Sequence, residues 1–269
     1  MTIDTNTFAL GIAYQGTRYH GWQYQSESTP TIQLSLQTAL SVVADEPLQV
    51  ICAGRTDTGV HATKQVVHLH TSKQRSERAW VMGTNAHLPD DVSVVWARSV
   101  ANDFSARYSA VARRYCYVIY SSPVRSALLR GMYTRDPRRL DAEAMHEAGQ
   151  ALVGEHNFTS FRASSCQSLS PKRNVHHLKV TRRGELIVID IEANAFLHHM
   201  VRNIAGVLLD IGAGAYPGTW VPELLSLRDR TKGSMTAPPD GLYMVDVKYP
   251  GVPEIPLGPG LPHFLEGLL

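Results

Sequence analysis

Strand-like and helix-like runs follow one another along this 269-residue chain in an order that strict β-α-β alternation does not fit. Residues 7–14 (TFALGIAY) are almost continuously apolar, as a buried strand is. Residues 31–43 set Ile32, Leu36, Leu40 and Val43 on one helical face. A short strand at 49–52 and a second at 65–71, where Val67 and Leu69 alternate with Val66, His68 and His70, precede a short helix at 76–82 and a strand at 91–98. Past a boundary near 102–109 the same kinds of element recur. A strand at 113–121 carries Tyr115, Tyr117 and Ile119 on one face. A helix at 141–153 turns Met145, Ala148 and Leu152 inward and stops at Gly154. Residues 175–182 and 186–192 form a hairpin around Arg183 and Gly184. A helix at 199–212 buries Val201, Ile204, Leu208 and Ile211, and a strand at 242–249 follows. This order predicts an α+β fold with a mainly antiparallel sheet, although no sequence repeat relates the halves. The expected division is 1–105, 106–249 and an irregular Pro- and Gly-rich tail at 250–269.

Composition narrows the class. Hydrophobic residues at 43% and charged residues at 19% describe an ordinary soluble globular protein. No apolar run approaches the length of a membrane span, so no membrane partner is expected. The opening MTIDTNTF lacks the basic start and apolar centre of a secretory signal. Cys52, Cys116 and Cys166 are far apart, odd in number and without a C-x-x-C pair, and so read as reduced cytoplasmic thiols filling the core. A net charge of +2 does not announce a nucleic-acid binder. Its distribution says more: basic residues crowd at Arg107, Arg113 and Arg114, between Arg125 and Arg139, at Lys172 and Arg173, and from Arg228 to Lys232. Such clusters track a phosphate backbone if they share a face, and are scattered solvated charge if they do not.

The chemistry concentrates in residues 53–70, AGRTDTGVHATKQVVHLH. Gly54 and Gly59 bracket Asp57, which permits a tight turn and a close approach by ligand or backbone. Arg55, two residues ahead, is placed to keep that acid ionised, although an R-x-D pair by itself is most often a loop ion pair. The aromatic-rich loop ahead of the first helix, QGTRYHGWQYQSESTP, is too long for a plain connector. His68 and His70 share a strand face at a metal-like spacing, but no third ligand suggests itself. The neighbours His176–His177 and His198–His199 are expected to point in opposed directions. GAGAYPG (212–218) ends a helix where a dinucleotide fingerprint would begin one, and no phosphate loop of the G-x-x-x-x-G-K type occurs.

RTDTGVHA followed by QVVH resembles the signature of the tRNA pseudouridine synthase A family. The likeness continues through FSARYSAVARRYCYVIY (104–120), NFTSF (157–161), ANAFLHHMVRNIAG (193–206) and APPDGLYMVDVKYP, and so spans roughly residues 7–250 in the family's order. The resemblance implies two similar α/β halves whose sheets join, with an active-site cleft between them. It implies isomerisation of uridines 38–40 in the tRNA anticodon stem-loop, without cofactor or metal, by a homodimer in which one tRNA touches both subunits. Asp57 matches the family's nucleophile. Arg202 matches the arginine that pairs with it, and Arg55 the residue thought to fill the space of the flipped base; pairing of Asp57 with Arg55 alone stays open. Tyr115 matches the tyrosine that stacks on the uracil, Leu242 an apolar residue lining the pocket, and Arg113 and Arg114 would sit near phosphates. Thr58 departs from the alanine common at that place. Two other readings compete: a hydrolytic N-glycosidase, which normally needs a second carboxylate that the turn does not offer, and an RNA-binding module, which leaves Arg55-Thr56-Asp57 without a purpose.

Overall fold

The computed structural model describes residues 6–267. In chain order the elements are β1 (Asn6–Tyr14), α1 (Ile32–Ala44), β2 (Ile51–Cys52), β3 (His61–Thr71), α2 (Glu77–Asn85), β4 (Val92–Val100), β5 (Ala112–Ser121), β6 (Thr134–Asp136), α3 (Ala142–Gln150), β7 (Gly154–Asn157), β8 (Lys172–Arg183), β9 (Leu186–Ala193), α4 (Met200–Gly212), α5 (Trp220–Leu227) and β10 (Leu242–Lys248). The fold is mixed α+β; the pairs β1–β3, β1–β4, β2–β3, β5–β9, β8–β9 and β7–β8 are antiparallel, and β6 runs parallel to β5. The chain forms two compact units, residues 1–111 with 244–260 and residues 112–243 with 261–269.

In the first unit the strands lie in the order β4-β1-β3-β10, with β2 beside β3. β3 starts at His61, ahead of the expected residue 65, and is buried along both faces rather than one. A strand with both faces covered loses the alternation that a half-solvated strand would show. Opposite Gly11 on β4 stands Trp96, whose indole would meet a Cβ at 2.1 Å, so the ring lies flat across the glycine. Thr31 caps α1 by accepting from the Leu34 amide, and Ser76 caps α2 from the Ala79 amide. The apolar face of α1 is Ile32, Leu36, Ala39, Leu40 and Ala44, with Val43 only half-buried.

In the second unit the order is β5-β9-β8-β7. The β8–β9 turn is Gly184-Glu185, since Arg183 pairs with Leu186, and Gly184 takes φ +60°. Asp141 caps α3, which stops at Gln150 rather than Val153. Tight turns over 151–153 end it, and Gly154 at φ +102° then opens β7. Helix α4 is buried all round except at Arg202 and Asp210. Its Ile204, Val207, Leu208 and Ile211 each contribute about 1.5–3 kcal/mol of burial. The stretch after residue 248 is irregular, but Ile255 and Leu265 are buried and Gly260 donates to the Val245 carbonyl at 2.9 Å. No helix among the described residues is long and apolar enough to cross a membrane.

Candidate active site

The turn that carries Asp57 leaves the β2–β3 ladder after Ala53, whose amide still bonds Val66 at 2.8 Å, and rejoins it at His61. Gly59 at φ +81° makes the reversal, and the Val60 amide closes it on the Asp57 carbonyl at 3.1 Å. The turn is pinned from several sides. Gln65 Nε2 donates to the Gly54 carbonyl at 2.6 Å. Tyr14 on β1 shares a 2.8 Å hydrogen bond with the Thr56 hydroxyl, and burial pushes the Tyr14 phenol well above its ordinary value, so it stays protonated. The Trp22 amide donates to the Thr56 carbonyl at 3.0 Å, and the Gly16 amide to His61 Nδ1 at 3.0 Å. A Cβ on Gly16 would stand 1.9 Å from the Val60 carbonyl oxygen, and one on Gly21 2.7 Å from that of Thr56. The long aromatic loop is thus a buttress for the turn. Thr56, Gly59 and Val60 are buried, Asp57 is half-buried, and Arg55 and Thr58 are exposed. Arg55 makes no ion pair among the described residues.

The second unit holds the remaining residues singled out from sequence. Tyr115, 8% exposed, lies on β5 opposite Ile191 and meets Phe196 edge-on, with centroids 5.0 Å apart. Phe196 received no role from sequence, although it lies within the family-like ANAFLHH run. Arg113 reaches the Asn194 carbonyl at 3.2 Å. Arg114 grips Asp190 with two bonds, at 2.7 and 2.5 Å, and this raises its pKa further. Asp190 is buried and was also missed; its signal was an acid inside the apolar run LIVIDIEA. Leu242 is 6% exposed. Arg202 projects from α4 and donates through Nε to the Ala237 carbonyl at 2.8 Å.

The histidine pairs differ from expectation. His199 adopts a left-handed conformation, φ +61°, at the start of α4, which swings its ring to 4.0 Å from that of His198 rather than away from it. At His176 a register shift in β8 lets both neighbours meet acids, His176 with Glu192 at 3.5 Å and His177 with Asp190 at 3.1 Å. His68 and His70 are occupied singly: His68 Nδ1 accepts from the Ala106 amide, and His70 Nδ1 shares a bond with Thr7. Cys52 and Cys116 are buried and free, and Cys166 is half-buried.

The α+β fold and the ordered motifs define the chain as a pseudouridine synthase, an isomerase. A model of the family described as tRNA pseudouridine synthase matches residues 11–109 and 148–250, and the chain belongs to that family. Relatives named tRNA pseudouridine synthase A share 56% identity over 97% of this chain and 91% of theirs in Pseudomonas aeruginosa. The figures are 57% over 93% and 97% in Shewanella woodyi, and 55% over 97% of both chains in Haemophilus influenzae. A chain of a solved Cbf5-Nop10-Gar1 complex superposes on 88% of this chain and 48% of its own at 11% identity and a TM-score of 0.35, too distant to bear on the site.

Proposed function

We propose that this chain converts uridines 38–40 of the tRNA anticodon stem-loop to pseudouridine, with Asp57 as the carboxylate that acts at the ribose C1′. The bond from C1′ to the uracil N1 breaks, the base turns over, and C1′ joins C5. N1 takes up a proton and C5 loses one, so the product has the formula of the substrate. No electron or outside group enters, and the chemistry demands no cofactor or metal. To be reached, the uridine leaves its stack, at a cost of a few kcal/mol.

The observation that carries this reading is the pinned turn. Its backbone is held by Gln65 and Trp22, and the His61 ring at its end by the Gly16 amide, while the Asp57 side chain stays half-buried beside the buried Thr56. A nucleophile benefits from that rigidity, since misplacement of a reacting group by an ångström costs on the order of 100-fold in rate. Asp57 acts as the carboxylate anion, with Arg202 as its cationic partner, and Arg55, exposed on the same turn, enters the space left by the flipped base. Tyr115 stacks on the uracil and Leu242 lines its other side, holding the base after its bond is cut. Arg113 and Arg114 sit near the phosphates, with the Arg114 guanidinium held in place by its two bonds to Asp190. In this reading the chain acts in the cytoplasm as a homodimer, one tRNA touching both copies.

The test is unmodified tRNA transcript incubated with the parent and with Asp57→Asn, followed by carbodiimide mapping of pseudouridine. Modification at positions 38–40 by the parent alone is expected. Modification by the variant would remove Asp57 from its role, and release of free uracil would favour a glycosidase.

A further inference from the structure

A buried polar network stands behind Arg202. Asn203, the next residue on α4, is 2% exposed and donates through Nδ2 to the Phe161 carbonyl at 2.8 Å. Its Oδ1 accepts from the Thr236 hydroxyl at 2.7 Å and from Arg230 Nη2 at 3.0 Å, and the same Nη2 reaches the Thr236 oxygen at 3.1 Å. Every hydrogen bond in this chain has one possible direction, because guanidinium only donates and the Thr236 hydroxyl then gives its proton to Asn203. Arg230 is a half-buried guanidinium with no carboxylate paired to it among the described residues, and burial lowers its pKa. Its own backbone is fixed by the Asp229 amide donating to Ser160 Oγ at 2.8 Å.

The network ends on the backbone that holds Arg202. A Cβ on Gly206 would lie 2.2 Å from the Met235 carbonyl oxygen, so the segment through Ala237 lies directly on α4. Ala237 then bonds Arg202 twice: its amide donates to the Arg202 carbonyl at 3.2 Å, and its carbonyl accepts from Arg202 Nε at 2.8 Å. An arginine held at Nε has the plane of its guanidinium set by that acceptor. Apolar residues would fill the same space without the desolvation of a lone guanidinium, so what the network adds is geometry.

We propose that Asn203, Thr236 and Arg230 are positioning residues for pseudouridine formation: they fix the Ala237 carbonyl against α4, and that carbonyl orients the Arg202 guanidinium. This rests on the reading of Arg202 as a site residue. Thr236→Val removes the hydroxyl at nearly constant shape, and Arg230→Met removes the second donor. Each is expected to lower kcat on tRNA transcript about 10- to 100-fold, with KM unchanged and the far-ultraviolet spectrum of the parent. Thr236→Ser keeps the hydroxyl and restores kcat. Lysine has no Nε–H for the Ala237 carbonyl to orient, so adding Thr236→Val to Arg202→Lys costs nothing further in kcat. The proposal is overturned if Thr236→Val and Arg230→Met keep the parent kcat, if serine fails to restore it, or if the Thr236→Val loss multiplies in full on Arg202→Lys. Full kcat in Arg202→Ala would instead overturn the role of Arg202 itself, and the proposal with it.

Discussion

Breaking the ion pair between Lys64 and Asp246 by a change at one end is expected to destabilise the unit formed by residues 1–111 and 244–260, while replacing both ends is not. The Lys64 Nζ stands 2.9 Å from Asp246 Oδ1, with the two side chains 7% and 5% exposed. Lys64 Nζ also donates to the Gly258 carbonyl, Thr63 donates to that of Gly260, and Asp246 Oδ1 accepts from the Val247 amide at 3.0 Å. At that separation the attraction is about 6 kcal/mol with an effective dielectric near 20. Desolvation of the two ions offsets most of it, at several kcal/mol each, so the intact pair contributes little net stability. Removing one charge forfeits the attraction and leaves the other ion's desolvation in place. Asp246→Asn and Lys64→Met are each expected to cost about 3–5 kcal/mol, a fall in thermal midpoint on the order of 10 °C. The double change Lys64→Met with Asp246→Leu should return to within about 1 kcal/mol of the parent. Urea unfolding of the four proteins measures the energies. Exchange of the Gly260 amide, which is bonded to Val245, reports whether the 258–260 clasp opens in the single variants. Single changes costing no more than the double would refute the reasoning, because the stranded charge would then not be what costs energy.

Two further outcomes follow from the same unit. Gly16→Ala drives a Cβ against the Val60 carbonyl, a backbone atom that cannot rotate away. The expected loss is about 3 kcal/mol in urea unfolding, with a further fall in tRNA modification because the Asp57 turn shifts; an unaltered unfolding curve would show that the loop yields freely. His68 is held below its ordinary value of 6.5 by burial first and by His70 second. A depressed value in the folded state means that stability is full above pH 6.5 and falls as the pH drops through the folded value, where the unfolded chain binds the proton first. The thermal midpoint should therefore decline from pH 6.5 downward, and His68→Gln, which retains an acceptor for the Ala106 amide, should flatten that decline.

How much of this was legible in the chain depends on the range over which each cause acts. Helix starts were readable because Thr31, Ser76 and Asp141 are local caps, each accepting amides two or three residues ahead. The apolar periodicity of α4 marked a helix, but the burial of its far side did not follow from the sequence, since that depends on the distant segment at Met235 coming to rest on Gly206. The early end of α3 and the one-residue shift of the β8–β9 turn are boundary effects decided by tight turns and positive φ, which apolar spacing does not encode. Short elements such as β6 and α5 passed unread because too few residues carry a period.

For the site the division is sharper. The spacing of Gly54, Asp57 and Gly59 pointed to a turn presenting an acid, and a local turn of this kind can be read because glycine's conformational freedom is a property of the residue itself. What keeps that turn in place was not readable. Tyr14, Gly16 and Trp22 reach it from the first strand and the loop after it, and nothing in QGTRYHGW distinguishes a buttress from a substrate loop. The same holds for His199, whose left-handed backbone overrides the rule that adjacent side chains diverge. It holds for Arg114 as well, which sequence groups with surface cations and the fold commits to a buried acid on the neighbouring strand. A motif names the residues that chemistry needs; their orientation belongs to partners distant in sequence. The physical mark those partners leave in the sequence is a polar residue inside an apolar run, as with Asp190 in LIVIDIEA and Asn203 in the buried face of α4, because a buried polar group persists only where another part of the chain satisfies it.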